Sequence, residues 1–212
     1  TVRLKKNEFK VKEYIKETLG KGKFSRVGIE YTPIGEKIII STHKPGLIIG
    51  RRGETINELT ETLKTQFELE NPHIEIEEIK EPEFDSQIIA DDLALGLEKV
   101  GPLKFKVLAY KALSRIINSG AQGVEIKLSG KLPSSRAKLW RFAQGYLKKT
   151  GDAAKVVNRA KSRAETKPGT VGIGVSILSP HAKMKDRIDL TDELIQRLKD
   201  NAEKEKKKKS KK

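Results

Sequence analysis

The apolar positions change period several times along the chain, and each change marks an element. Asn7 to Leu19 carries Phe9, Val11, Tyr14, Ile15 and Leu19 on what can be one helical face, and Gly20-Lys21-Gly22 stops it. Phe24 to Tyr31 alternates, with Val27, Ile29 and Tyr31 on one side; a turn with Pro33 and Gly35 then leads into the β-branched run Lys37 to Thr42. Leu47, Ile48 and Ile49 predict a short helix ending at Gly50. A longer helix starts at Gly53, because Ile56, Leu59, Leu63 and Phe67 recur at spacings of three and four; it runs to about Glu70, where Asn71-Pro72 breaks it. His73 to Ile79 alternates as a third strand.

Glu81-Pro82-Glu83 marks a boundary, since a proline between charges ends the strand and a new helical pattern begins beyond it. Asp85 to Val100 and Lys104 to Asn118 predict two helices separated by Gly101-Pro102. Ser119 to Gly123 turns the chain into the alternating strand Val124 to Leu128, and further strands are expected over Ala137 to Lys148, Ala153 to Arg163 and Val171 to Leu178. After Pro180 only Asp192 to Leu198 keeps a helical pattern, and the run Lys206 to Lys209 predicts a disordered arm. The fold class is therefore α+β, in three parts. Residues 1–82 form a first domain, residues 83–180 a second with two helices and a β-sheet, and residues 181–212 a partly helical, Lys-rich extension.

Chemistry concentrates at Gly50-Arg51-Arg52-Gly53. Glycines at both ends let a backbone approach closely with no Cβ in the way, and the following helix directs its free N–H groups and positive dipole end toward the same place. Arg51 and Arg52 add planar donor forks, with Lys44 just upstream. A Gly-x-x-Gly tetrapeptide is common by chance, but here it lies between two helices with β-branched residues before it. The order helix, strand, strand, helix, loop, helix, strand resembles the type II arrangement of KH modules, whose loop clamps about four nucleotides of RNA backbone.

Charge sharpens this reading. Lys and Arg number 44 against 29 Asp and Glu, a net of +15 that implies a polyanionic partner. Residues 121–170 hold twelve Lys and Arg against three acids. Lys127, Lys131, Arg136, Lys138, Arg141, Lys148, Lys149, Arg159, Lys161 and Arg163 are the candidate RNA contacts among them, and strand alternation is expected to bring several onto one face. Residues 66–100 hold eleven Asp and Glu against Lys80 and Lys99, so the third strand and the helix after it are expected to face away from phosphate. With no cysteine, and with His43, His73 and His181 scattered, neither a disulfide nor a metal site is expected. No apolar run approaches the roughly 20 residues of a membrane span, and residues 1–30 lack the apolar core of a secretory signal. A soluble cytoplasmic chain without a membrane partner is the expectation.

Five segments in order carry a wider resemblance: Val11-Lys-Glu-Tyr-Ile-Lys16, Lys44-Pro-Gly-Leu-Ile-Ile-Gly-Arg-Arg-Gly53, Lys80-Glu-Pro-Glu-Phe-Asp85, Gly120-Ala-Gln-Gly-Val-Glu-Ile-Lys-Leu-Ser-Gly130 and Val171-Gly-Ile-Gly-Val175. From about Asn7 to Leu178 the chain resembles the family of small-subunit ribosomal protein S-three. Leu132-Pro-Ser-Ser-Arg-Ala137 replaces the glycine-rich version of bacterial members, which points to the archaeal or eukaryote-like branch. The resemblance implies a ribosome-bound structural protein that contacts small-subunit rRNA in the head and messenger RNA at its entrance channel. It also implies neighbouring head proteins, the tenth and the fourteenth. A basic cluster that bacterial members use in messenger unwinding falls on Lys106, Val107 and Tyr110, so only Lys106 keeps its charge, with Lys104 and Lys111 nearby as substitutes.

Competing readings are weaker. Trp140 on a strand is expected to serve packing rather than base stacking. Gly172-Ile173-Gly174 lacks the third glycine of a dinucleotide fingerprint, and no Gly-Lys pair is followed by Ser or Thr as a phosphate-binding loop requires. An enzyme such as a DNA lyase would need a lysine marked out by desolvation, which nothing here supplies. No catalytic residue, cofactor or small-molecule substrate is expected. A free-standing KH-type regulator of RNA processing would use the same clamp but would not predict a second domain with its own basic face.

Overall fold

The computed structural model of the chain describes residues 2–33, 35–67, 69, 71–182 and 184; the helix expected over 192–198 and the Lys-rich run lie outside them. Residues up to Ala182 form one compact unit containing two hydrophobic cores. Among the described residues, no helix is long and apolar enough to cross a membrane.

The first core is built by α1 (Val2–Leu19), β1 (Arg26–Thr32), β2 (Gly35–Thr42), α2 (Pro45–Ile49), α3 (Glu54–Phe67) and β3 (His73–Glu78). β2 is central, antiparallel to β1 and parallel to β3. Val11, Ile15 and Leu19 form the buried stripe of α1 at spacings of four, and Ile38 and Ile40 of β2 are fully buried beneath the helices. Two expected face residues fall outside. Phe9 is exposed, lying about 200° around the helix from Val11; Glu8, held by the Lys5 ammonium at 2.9 Å, is buried instead. Tyr31 is exposed because it pairs with Glu36 at the hairpin end, whereas Val27 and Ile29 pair with Ile40 and Ile38 over the core.

The second core is built by α4 (Ser86–Val100), α5 (Phe105–Asn118), β4 (Gly123–Gly130), β5 (Lys138–Gly145), β6 (Asn158–Thr166) and β7 (Gly169–Leu178). The strands run antiparallel in the order β5-β4-β7-β6. Both helices cover one face, α4 over β6 and β7 and α5 over β4 and β5. The strand expected from Ala153 begins only at Asn158, because Asp152–Lys155 forms a 3₁₀ turn. The strand expected to reach Lys148 stops at Gly145, where the chain crosses Gly123 so closely that a Cβ there would meet the Tyr146 carbonyl oxygen at 1.9 Å. Trp140 serves packing: its indole N–H donates to the Leu132 carbonyl at 2.9 Å and its ring lies 5.2 Å from that of Phe105.

The acidic stretch has a use that charge counting missed. Glu75 and Glu77 of β3 are exposed. The carboxylates of α4 instead join the two cores. Asp85 caps α4 by accepting the Gln87 N–H at 2.8 Å and also accepts the Ser25 hydroxyl. Asp91, only 6% exposed, accepts the Gly22 N–H at 3.2 Å. Glu98 accepts the Glu165 N–H at 3.0 Å and the Lys21 ammonium at 2.9 Å. The Glu165 N–H is the main reason its carboxyl sits below the usual range, with Lys21 adding to it.

Candidate nucleic-acid interface

The clamp is fixed at its roots and bare at its tip. Ile48 on one side and Leu59 and Leu63 on the other are buried in the first core, while Arg51, Arg52 and Lys44 are exposed. Gly50 ends α2 at φ 74°, and a Cβ on it would lie 2.2 Å from the Thr55 hydroxyl oxygen, so both backbone and space require glycine. Arg51–Gly53 makes one 3₁₀ turn, and α3 starts at Glu54, a residue later than the pattern predicted. Within the turn Arg52 takes the left-handed conformation, φ 54° and ψ 22°, with Gly53 at φ 81°. A non-glycine residue there carries strain of order 1–3 kcal/mol, of the kind that collects at working sites. Glu54 in the first turn of α3 already answers that helix's dipole, so the two arginines supply the attraction for an anion. Upstream, the Lys44 N–H donates to the Thr42 hydroxyl at 3.1 Å, and that hydroxyl donates to the Lys23 carbonyl, which ties down the approach to α2.

The second candidate surface is the face of the four-stranded sheet opposite the helices. Register places Arg141, Lys127, Gly174 and Lys161 in one row across all four strands. The next row holds Ala143, Glu125, Ser176 and Arg159, and the row on the other side Leu139, Ser129, Gly172 and Arg163. Five of the expected cations therefore share a face: Lys127, Arg141, Arg159, Lys161 and Arg163, all exposed. The small residues of β7 leave the middle of that face low.

The other five candidate cations stand elsewhere. Lys138 has the parity of Trp140 and Phe142, on the helix side of β5, while Lys131 and Arg136 lie in the exposed connection between β4 and β5. Lys148 and Lys149 follow β5, the former with its ammonium 5.8 Å from the Tyr146 ring.

Glu125 organises the face, and it was counted in the sequence only as one acid among many cations. Its carboxylate is 5% exposed and is gripped by Arg141, by Lys149 at 3.1 Å and by Lys127 at 3.3 Å. Burial pushes its pKa up, but the hydrogen bonds from Arg141, Lys149 and Lys127 outweigh this and hold it at about 2. The available signal was an acid at an outward position of a strand whose next outward residue, Lys127, is basic.

Lys106 and Lys111 on α5 are exposed, as is Lys104, which lies in a 3₁₀ turn just before the helix that was expected to begin there, but the Lys106 ammonium sits 4.9 Å from the Trp140 ring centre in a cation–π contact. Val107 and Tyr110 are exposed beside them, together with Leu103. The sequence pattern singled out no solvent-facing apolar group here. No group of three or more His, Asp and Glu that could hold a metal ion occurs among the described residues.

Residues 10–84 match the family profile described as "KH domain", and residues 96–177 match that of "Ribosomal protein S3, C-terminal domain". The chain is 40% identical over 184 residues to small ribosomal subunit protein uS3 of Methanocaldococcus jannaschii, covering 86% of this chain and 88% of that one. It is 36% identical to the uS3 of Methanosphaera stadtmanae, covering 86% and 72% of the two chains, and 37% identical to that of Methanococcus maripaludis, covering 87% of each. These relatives are archaeal, the branch to which the segment 132–137 pointed. With a KH domain at its N-terminal end and the S3 C-terminal domain after it, the chain belongs to the uS3 family of small ribosomal subunit proteins.

Proposed function

We propose that this chain is a structural, RNA-binding constituent of the small ribosomal subunit that binds rRNA in the head and lines the entrance channel for messenger RNA. The observation that carries the reading is the outer face of the second sheet, where Lys127, Arg141, Arg159, Lys161 and Arg163 align across strands distant in sequence. A face of that charge, with a low centre, suits a phosphate backbone. The clamp Gly50-Arg51-Arg52-Gly53, with Lys44, adds a second grip; Lys131, Arg136, Lys148 and Lys149 add charge in the connections around the sheet, and Lys138 on its helix side. Residues 1–82 act as the KH domain, residues 83–180 as the second RNA-binding domain and residues 181–212 as a basic extension. Neighbouring head proteins, the tenth and fourteenth, complete the surroundings, in the cytoplasm and on the ribosome. The reading assigns no covalent chemistry.

Counterion release provides the test. Log affinity of the full chain for small-subunit rRNA should fall with log salt by about 0.7 to 0.9 per phosphate contact, so six contacts give a slope between about −4 and −5. A slope shallower than about −2 would mean that the aligned cations stay in solvent, and the reading would fall.

A further inference from the structure

A groove of about 640 Å³ separates α1 and the start of β1 from the edge strand β6. Its cations come from both cores: Lys12, Lys16, Lys21 and Arg26 from the first, Lys161 and Arg163 from the second. Its acids are Glu13 and Asp91. Both are engaged, Glu13 by Lys16 at 3.2 Å, and Asp91 by the Gly22 N–H at 3.2 Å and the Gln87 side-chain amide at 3.1 Å. Lys21 is held by Glu98 at 2.9 Å. Among the described residues, Lys12, Arg26 and Lys161 have no acidic partner, and Arg163 reaches only the exposed Glu165 at 3.9 Å. Unpaired cations from α1, β1 and β6 thus converge on one groove, an arrangement that repels itself until an anion enters.

The groove is also continuous with the sheet face. A second hollow of about 640 Å³ on that face is lined by Glu125, Lys127, Lys149, Arg159 and Ser176, and Gln87 and Lys161 line both hollows. The chemistry of the walls selects the occupant. An acidic protein segment would need apolar pockets for its anchoring side chains, but the apolar residues lining the groove, Phe24 and Val27, are 6% and 7% exposed. A phosphate backbone needs only the charges.

We propose that one RNA strand crosses the sheet face, passes over Lys161 and enters the groove, where Lys12 and Arg26 are phosphate contacts that set the RNA across the junction of the two cores. The proposal rests on the reading that the sheet face binds RNA, and the test separates the two. An in vitro transcript of small-subunit rRNA is titrated at several salt concentrations against the full wild-type chain, against Lys12→Gln with Arg26→Gln, and against Lys127→Gln with Arg159→Gln. Each double variant should flatten the salt slope by about 1.4 to 1.8, the share of two phosphates.

If the groove variant binds like wild type while the face variant weakens, the proposal is overturned and the function of the face stands. If the groove variant weakens and the face variant does not, the groove holds RNA and the reading of the face fails; no change in either overturns both. Should the groove variant not fold, amine acylation of the wild-type chain decides: Lys12 reactivity should drop when the transcript is added. Lys12 shielded in assembled subunits but not by the transcript would assign the groove to an acidic protein neighbour and overturn the proposal.

Discussion

Glu125 shows what a count of charges cannot reveal. In sequence it lowers the net charge of a basic segment by one; in the fold it is a buried carboxylate that fixes three cations of the sheet face. Its folded pKa of about 2 lies below the ordinary carboxyl value of 4.5. The stability it contributes is therefore fully present above pH 4.5 and is lost as pH falls from there toward 2. That contribution is at most about 3 kcal/mol, and screening reduces it because the three partner side chains are half exposed. Glu125→Gln should melt below wild type at neutral pH, with the gap closing as the solution is acidified through the carboxylate range. Thermal melts of both proteins from pH 7 down to 2 check this, and a gap independent of pH would mean the carboxylate's charge is not what stabilises the site. Alternation foretold only that some of Lys127, Arg136, Lys138, Arg141, Arg159, Lys161 and Arg163 would share a face; the register selects Lys127, Arg141, Arg159, Lys161 and Arg163. Lys138 fell on the other side because its strand begins at that residue with the parity of Trp140, which a run of mixed residues does not announce.

At the scale of elements, the clamp was legible because everything that makes it is local: an apolar turn, two glycines, two arginines and a helix with spacings of three and four. The limits of β5 and β6 were not, because contacts from elsewhere set them. The close crossing at Gly123 ends β5, and the 3₁₀ turn at Asp152–Lys155 delays β6. Nor did the sequence announce that Arg52 would hold a left-handed backbone between two glycines. Glycine at that position would relax the strain and remove a charge together, which separates stability from binding. Arg52→Gly should leave the unfolding free energy unchanged or raise it by up to about 1 kcal/mol, the usual benefit of glycine at positive φ. Its RNA affinity should fall, and its salt slope should flatten by about one contact, 0.7 to 0.9. Denaturant unfolding and an RNA titration on the same preparation measure both. Wild-type affinity would remove Arg52 from the clamp.

Up to Ala182 the molecule is two cores joined by acids, and that junction was the least legible feature. Asp85, Asp91 and Glu98 reach Ser25, Gly22 and Lys21, partners 60 to 77 positions away, which no periodicity records. The junction gives the molecule two separate basic regions, the clamp and the sheet face, while α5 presents a third surface with both charge and exposed apolar groups. There the resemblance to bacterial relatives suggests contact with incoming messenger, and the structure sorts the candidates. Lys106, in the first turn of α5, stands on the side of Trp140, whose ring its ammonium covers. Lys104 lies in the 3₁₀ turn Pro102–Lys104 just before α5 and Lys111 within α5, both exposed, so they are the two cations here that can hold a strand by its phosphates. Fixed charges that hold a separated strand by its phosphates oppose its re-pairing. Ribosomes carrying Lys104→Ala with Lys111→Ala should therefore pass a stable messenger hairpin more slowly than wild type while translating an unstructured messenger at the same speed. Lys106→Ala should slow them less, since that ammonium already rests on an indole. Passage times through the hairpin in single-ribosome translation distinguish the three. If the double variant traverses it at the wild-type rate, α5 takes no part in separating the strands, and the task belongs to the sheet face or to a neighbouring protein.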